Sequence, residues 1–314
     1  MKNCLIHIGM LRAGSTLLQK FLFSKHSGIQ NIWKPTYEEL LRQMINVEDN
    51  ELPKTKIKLL IEKNLKLGGG EKILVASNEQ IAGLPTLSFA ARRVKEFFPK
   101  TKILFIIRKQ EDLIESLYSY QYRNLTGFLG VPKRFETSYL TFDEYFNFQI
   151  PNGKELENKS QKFFQLAWRL KYSNVIDLYE SLFGKANVIA LPFEMIIKDL
   201  DIFAERLEKF CNIEKKETIK LLKNVQKVNE SVPVNHILYE RLRQKIPIKF
   251  PLKKILPFGD FMQKKVINFL KTKKSSAINW DSEKRKRIIN LYKIDNRKID
   301  LKYNLSLRKY NYTL

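Results

Sequence analysis

The chain has 314 residues, 44% of them hydrophobic and 12% aromatic, enough for a sizeable core and too aromatic for a disordered polycation. The 12 Gly and 11 Pro exclude collagen-like and low-complexity classes. Lys plus Arg number 57 against 33 Asp plus Glu, a net charge of +24, which points to an anionic partner: nucleic acid, an anionic membrane face, an acidic polysaccharide or a polyphosphorylated cofactor.

Residues 3–8 read as a buried strand closed by Gly9. The stretch from Gly9 to Thr16 turns the chain. Residues 17–25 then read as a helix with Leu17, Leu18, Phe21 and Leu22 on one face. Ser15 or Thr16 supplies capping chemistry at its start, and His26 and Gly28 stand where a cation and a glycine end a helix. Residues 37–44 and 57–67 pattern as helices separated by Pro53. A second buried strand covers 72–77 and an amphipathic helix 87–98. The third strand, 102–107, is a continuous apolar run of the kind that parallel sheets bury on both faces. A helix over 112–123 follows, then a stretch of mixed composition over 124–153 that reads as an insertion with loops. Helix 163–183, strand 187–191 and helix 194–210 continue the alternation, with Glu194 as the cap of the last. Strands separated by helical patterns mean βαβ units and a parallel sheet, so the fold class is α/β, a parallel sheet flanked by helices.

Beyond Cys211 the pattern becomes helical and basic, and a long helix over 281–303 carries Ile288, Ile289, Tyr292 and Ile299 as inward residues. Residues 241–314 hold 21 Lys/Arg against 5 Asp/Glu, two thirds of the net charge. Cys4 and Cys211 are too few for a disulfide framework and point to a reducing, cytoplasmic setting. No apolar run approaches the ~18–20 residues of a membrane span, and the first strand pattern is not that of a signal peptide. The three His and two Cys are scattered, without metal-ligand spacing, so no metal is expected.

Gly9-x4-Gly14-Ser15-Thr16, between a strand and a helix, has the spacing of a nucleotide phosphate loop, except that Ser15 stands where a kinase has Lys. Glycines let a backbone approach an anion, and the N–H groups of the turn and first helical residues point at it. Arg12, inside the loop, makes it a different design, one that would hold a single terminal anionic group and neutralise charge on it during transfer. An ordinary tight turn between strand and helix is the alternative. The third strand runs directly into Arg108, at the edge where parallel sheets place ligands, and Ser116 follows two turns into the next helix. A guanidinium fork and a hydroxyl suit a second phosphate.

Gly9-Met-Leu-Arg12-Ala13-Gly14-Ser15-Thr16-Leu17-Leu18 paired with Arg108-x7-Ser116 resembles the two binding motifs of sulfotransferases that use 3′-phosphoadenosine 5′-phosphosulfate, in their bacterial, carbohydrate-type form. The resemblance extends to residues 72–79, to 183–194, to Asn229 and Ser231, and to 291–307. It implies a single P-loop-like domain over 1–314. In it, 1–123 is the cofactor-binding core, 124–153 an insertion, 154–235 the remainder of the core and 236–314 a basic helical region. It also implies that Arg12, Ala13, Gly14, Ser15, Thr16 and Leu17 form the 5′-phosphosulfate loop, and that Arg108 and Ser116 hold the 3′-phosphate. The product would be adenosine 3′,5′-bisphosphate, and the acceptor a hydroxyl of a saccharide or glycolipid. Two departures stand out. Many members have Lys in place of Arg12, and many have Pro where this chain has Gln110, which leaves the turn less rigid.

Transfer to a hydroxyl needs a group to take the acceptor's proton and charge to steady the leaving phosphate. Arg12 serves the second task. Glu79, directly after the second strand, reaches the same sheet edge and is the candidate base; its alternative role is to cap a turn or pair with Arg92 or Arg93. His7, inside the first strand, is either a hydrogen-bonded core residue or the rival base, and His236 is read as a helix-surface residue. Two other function classes compete. One is a nucleotide kinase, against which Ser15 and the lack of an Asp-ended metal strand speak. The other is a non-enzymatic basic module. Residues 250–274, with Phe258, Phe261, Met262 and Phe269 among lysines, either lie on an anionic bilayer or pack on the domain. No nucleic-acid partner is expected, and the location is cytoplasmic, peripheral at the inner membrane face only if residues 250–274 lie on the bilayer.

Overall fold

The computed structural model describes residues 4–32, 35–67, 72–83, 87–123, 140–152, 165–223 and 278–314. Two compact units emerge: Met1–Gln110 with Arg169–Val228 and Ile289–Leu314, and Glu111–Trp168 with Asn229–Ile288.

The first unit is built on five parallel strands: β1 (Cys4–Gly9), β2 (Ile29–Asn31), β3 (Ile73–Asn78), β4 (Thr101–Ile107) and β5 (Val188–Pro192), in the order β2-β3-β1-β4-β5. β1, β3 and β4 have almost no exposed residue, and Ile103 to Ile107 have none, as their unbroken apolar runs require. β1 lies between β3 and β4, with Ile8 opposite Asn78 and Gly9 opposite Ile106. β2, with only Ile29 buried among three residues, carries too little pattern to be read from sequence.

Several helices depart from their sequence pattern. The first begins as α1 (Ser15–Leu17) and widens at once into a π-helical stretch, Leu18–Phe23. α2 (Pro35–Asn46) and α3 (Lys54–Leu67) follow β2, and α4 (Gln80–Gly83) and α5 (Leu87–Phe97) connect β3 to β4. α6 (Gln110–Arg123), α7 (Phe142–Gln149) and α8 (Leu166–Arg169) come next. α7 falls within the stretch read as loops. Its start is a capping box, Thr141 and Glu144 each bonding the other's backbone N–H. The expected helix 163–183 is interrupted among its described residues: α9 (Tyr172–Phe183) starts afresh after Lys171 and packs on α5, β4 and β5. The expected helix 194–210 is two, α10 (Phe193–Lys198) and α11 (Leu200–Cys211), hinged at Asp199, and α12 (Lys215–Leu222) follows.

α13 (Ser282–Tyr303) is the long terminal helix. Ile288, Tyr292 and Ile299 are buried as expected, whereas Ile289 is 41% exposed because it falls on the charged face. Within the first unit, Lys298 pairs with Asp177 at 2.6 Å, Tyr303 donates to Glu180 at 2.8 Å, and Tyr310 donates to Asp199 at 2.7 Å. The second unit has an aromatic cluster in which Trp280 meets Phe142 and Phe146 edge-on, each at 5.5 Å. Tyr118 donates to Leu140 O at 2.9 Å beside them.

Candidate active site

Parallel strands deliver their C-terminal ends to one edge. There β1 ends at Gly9, β3 at Asn78 and β4 at Ile107, which lies opposite Pro192 of β5. The Gly9–Thr16 loop, Glu79, Arg108 and Phe193 therefore gather at the same side of the sheet.

The loop is held tightly. Ala13 N donates to Met10 O at 3.0 Å, and Gly14 O accepts from Leu17 N at 3.0 Å and Leu18 N at 3.3 Å. Gly14 has φ +88°, and a β-carbon there would stand 2.3 Å from Phe193 Cδ2. Glycine is thus required both by backbone conformation and by the close approach of the ring. Arg12 also has positive φ, +71°, which is unusual for a residue with a side chain. Ala13, Ser15 and Leu17 point inward, while Arg12 and Thr16 are half-exposed. Gly14 caps α1 without a side-chain bond, so neither Ser15 nor Thr16 acts as the cap.

Arg108 binds the loop directly. Its Nη1 donates to Arg12 O at 2.6 Å, its guanidinium lies 5.4 Å from the Phe193 ring centre, and its buried Nε has no hydrogen-bond partner among the described residues. The turn after β4 is fixed from three directions. Tyr172 donates to Arg108 O at 2.6 Å, and Lys109 N donates to Glu194 at 3.0 Å. Gln110 is buried and exchanges amide bonds with Asn296 at 2.8 and 3.2 Å. The turn is therefore pinned by side chains, and the loss of a proline ring at Gln110 does not loosen it.

Glu194 does not cap α10 as expected: Pro192 is the N-cap and no side chain bonds there, because one Glu194 oxygen is taken by Lys109 N. Its other oxygen accepts from Tyr312 at 2.8 Å, and burial raises its pKa. Tyr172, Tyr312 and this use of Glu194 were not legible in sequence, since a buried tyrosine hydroxyl leaves no periodic signal. Ser116 lies half-buried on α6, in the second unit.

Glu79 follows β3 and is half-buried. Burial raises its pKa, and the neighbouring Ser15 hydroxyl and Arg12 pull it back in part. The alternative partners are engaged elsewhere: Arg93 pairs with Asp49 at 2.5 Å, and Arg92 Nε donates to Ser88 O at 3.2 Å. His7 is fully buried, with Nδ1 2.7 Å from Ser77 Oγ, and burial pushes its pKa down to about 3.

His26, expected at the end of the first helix, is buried and bonded through both ring nitrogens. Its Nδ1 accepts from Gly28 N at 3.1 Å, and its Nε2 lies 3.2 Å from Glu214 O. With Glu214 and Glu217 it forms a group whose ligand atoms lie within 4.8 Å of one another. Both carboxylates are already in use. Glu214 caps α12 through the N–H groups of Lys216 and Glu217, and Glu217 accepts from Ser27 at 2.8 and 2.5 Å. Asn229, Ser231, His236 and residues 250–274 lie outside the described residues. Among the described residues no helix is long and apolar enough to cross a membrane.

No family model matches the sequence, and no curated protein matches it. Solved structures do. A sulfotransferase from Alicyclobacillus acidocaldarius superposes with a TM-score of 0.52 at 13% identity, covering 99% of this chain and 99% of that one. A mouse sulfotransferase complexed with PAP gives 0.49 at 12% identity, over 99% and 89% of the two chains. A sulfotransferase domain from the curacin biosynthetic pathway gives 0.45 at 13%, over 93% and 98%. At those two TM-scores neither adds to the assignment. The chain thus has the sulfotransferase fold, a five-stranded parallel α/β sheet flanked by helices, and at 13% identity the likeness is one of fold.

Proposed function

We propose that this protein is a sulfotransferase, moving a sulfuryl group from 3′-phosphoadenosine 5′-phosphosulfate to a hydroxyl of a carbohydrate or glycolipid. The observation that carries the reading is the meeting of Arg12, Ser15 and Glu79 at the end of the sheet, with Arg108 bonded to the same loop. The residues suit such a donor. Gly14, packed against the Phe193 ring, holds the loop in its left-handed turn, and Arg108 Nε is buried without a hydrogen-bond partner among the described residues. When bound, the donor supplies an activated sulfuryl group.

The chain's own groups then divide the work. The loop amides and Arg12 receive the charge that develops on the departing phosphate oxygen. Arg108 reads the 3′-phosphate. Glu79 takes the proton of the acceptor hydroxyl, a role that its raised pKa favours over that of an ordinary surface glutamate. His7, buried and kept neutral, is the weaker candidate for that proton. A saccharide or glycolipid acceptor, a cytoplasmic site of action and contact of residues 250–274 with an anionic membrane face belong to the same proposal. They rest on the family resemblance and the basic composition.

A thermal-shift comparison tests the function. Adenosine 3′,5′-bisphosphate should raise the melting temperature; a ligand at 100 times its Kd contributes about 2.7 kcal/mol. ATP and duplex DNA should give much smaller shifts. A larger shift with ATP would favour a kinase, and one with DNA alone a basic binding module.

A further inference from the structure

His7 uses only one of its two ring nitrogens. Its Nδ1 faces Ser77 Oγ at 2.7 Å. Gln19, in the π-helical stretch, places Nε2 3.0 Å from Ser77 Oγ and 3.4 Å from Ser77 O. A carbonyl oxygen only accepts, so the Gln19 amide nitrogen must be the group facing Ser77. Ser77 Oγ therefore accepts from Gln19, and its own proton is left to give, with His7 Nδ1 at 2.7 Å as the acceptor in reach. A neutral imidazole with an accepting Nδ1 carries its hydrogen on Nε2. That N–H is buried, and no acceptor meets it among the described residues.

Its surroundings identify where it is aimed. A β-carbon on Gly9 would stand 3.5 Å from His7 Nε2 and 3.0 Å from Ser15 Oγ. Both atoms therefore flank the spot that a side chain on Gly9 would take, and glycine keeps a β-carbon from standing between them. Ser15 Oγ is the second buried polar atom there, its hydroxyl turned to the Glu79 carboxylate and its lone pairs left to accept. A buried N–H without an acceptor is costly as it stands, unless something brings one to it.

We propose that His7 is a positioning residue of the anion-binding loop: when an anion enters, His7 Nε2–H donates to Ser15 Oγ, and the Ser15 hydroxyl turns its only proton from Glu79 to the anion. Gln19 and Ser77 hold the ring in the required tautomer. This deepens the phosphosulfate-loop reading and rests on it.

Two near-isosteric variants separate this role from a packing role. In the space of a histidine, a glutamine amide nitrogen falls near Nε2 and an asparagine amide near Nδ1. His7→Asn keeps the link to Ser77 and loses the donor beneath Ser15. It should bind adenosine 3′,5′-bisphosphate about tenfold more weakly by calorimetry, the scale of one hydrogen bond. His7→Gln should keep affinity within about threefold of wild type, since it retains the donor. Asparagine outperforming glutamine would overturn the proposal. The wild-type protein gives a direct signature. The His7 ¹⁵N spectrum should show a protonated Nε2 before ligand is added, and that signal should move when adenosine 3′,5′-bisphosphate saturates the protein. If neither variant folds, this spectrum decides. Binding without any change at Nε2 would defeat the positioning role alone, whereas absence of binding by the wild type would remove the phosphosulfate loop and the proposal with it.

Discussion

Gly14→Ala perturbs the loop without touching a charge. Two costs are separable in the structure. The backbone sits at φ +88°, where an L-residue loses about 1–2 kcal/mol. The new methyl would also stand 2.3 Å from Phe193 Cδ2 and 2.5 Å from Cε2, an overlap of the kind that costs about 1–3 kcal/mol when a packed site must yield. Together they predict a loss of roughly 2–5 kcal/mol, near the upper range for single substitutions. The assay is a double-mutant cycle by urea denaturation with Phe193→Ala, which removes the ring atoms that would be struck. In that background Gly14→Ala should cost only the backbone part, about 1–2 kcal/mol, and the difference between backgrounds is the clash. Because Arg108 lies over the same ring, displacing Phe193 should also weaken adenosine 3′,5′-bisphosphate binding. Equal costs in both backgrounds would show that the ring does not close on Gly14. A cost below about 0.5 kcal/mol in the parent would show that the loop does not hold this conformation.

Arg108→Ala should weaken adenosine 3′,5′-bisphosphate by about 1.5–3 kcal/mol and affect adenosine 5′-phosphosulfate much less; equal losses in calorimetry would deny it the 3′-phosphate. Arg12→Ala should lower turnover by roughly 10²–10³, with partial recovery in Arg12→Lys, as single-turnover transfer assays would report. Arg12→Gly should lose as much turnover yet be more stable than Arg12→Ala by about 1 kcal/mol, because its φ is +71°. Glu79→Gln should keep bisphosphate affinity and lose about 10²–10⁴ in transfer; intact transfer would move the base elsewhere. The same variant has a stability signature. The folded pKa of Glu79 lies above the ~4.3 of an unfolded glutamate, so its ionised form is the costly one in the folded state. Glu79→Gln should therefore melt higher than the parent at pH 7. That gain should fade as pH drops through the raised pKa towards about 4; a constant difference would refute the burial of the carboxylate.

The sheet was legible because its central strands are unbroken apolar runs, and burial on both faces demands such runs. The loop was legible because Gly9 and Gly14 mark the places where the backbone must turn or meet another group closely. From those two facts the sequence by itself determined the fold class and the edge on which Arg12, Glu79 and Arg108 meet. It did not determine how they are held. The π-helical stretch that carries Gln19 to Ser77, the hinge at Asp199 and the reach of Tyr312 to Glu194 depend on partners 58 to 118 positions away in the chain. No local pattern encodes such a pairing, since a hydrogen bond between distant side chains adds no periodicity. Tertiary structure alone also separated the histidines. His7 and His26 look equally plain in sequence, yet one lies buried beside Ser77 with its Nε2 unpartnered among the described residues, and the other has both ring nitrogens engaged, by Gly28 N and Glu214 O. The difference is one of burial and available partners, which only the packed chain assigns.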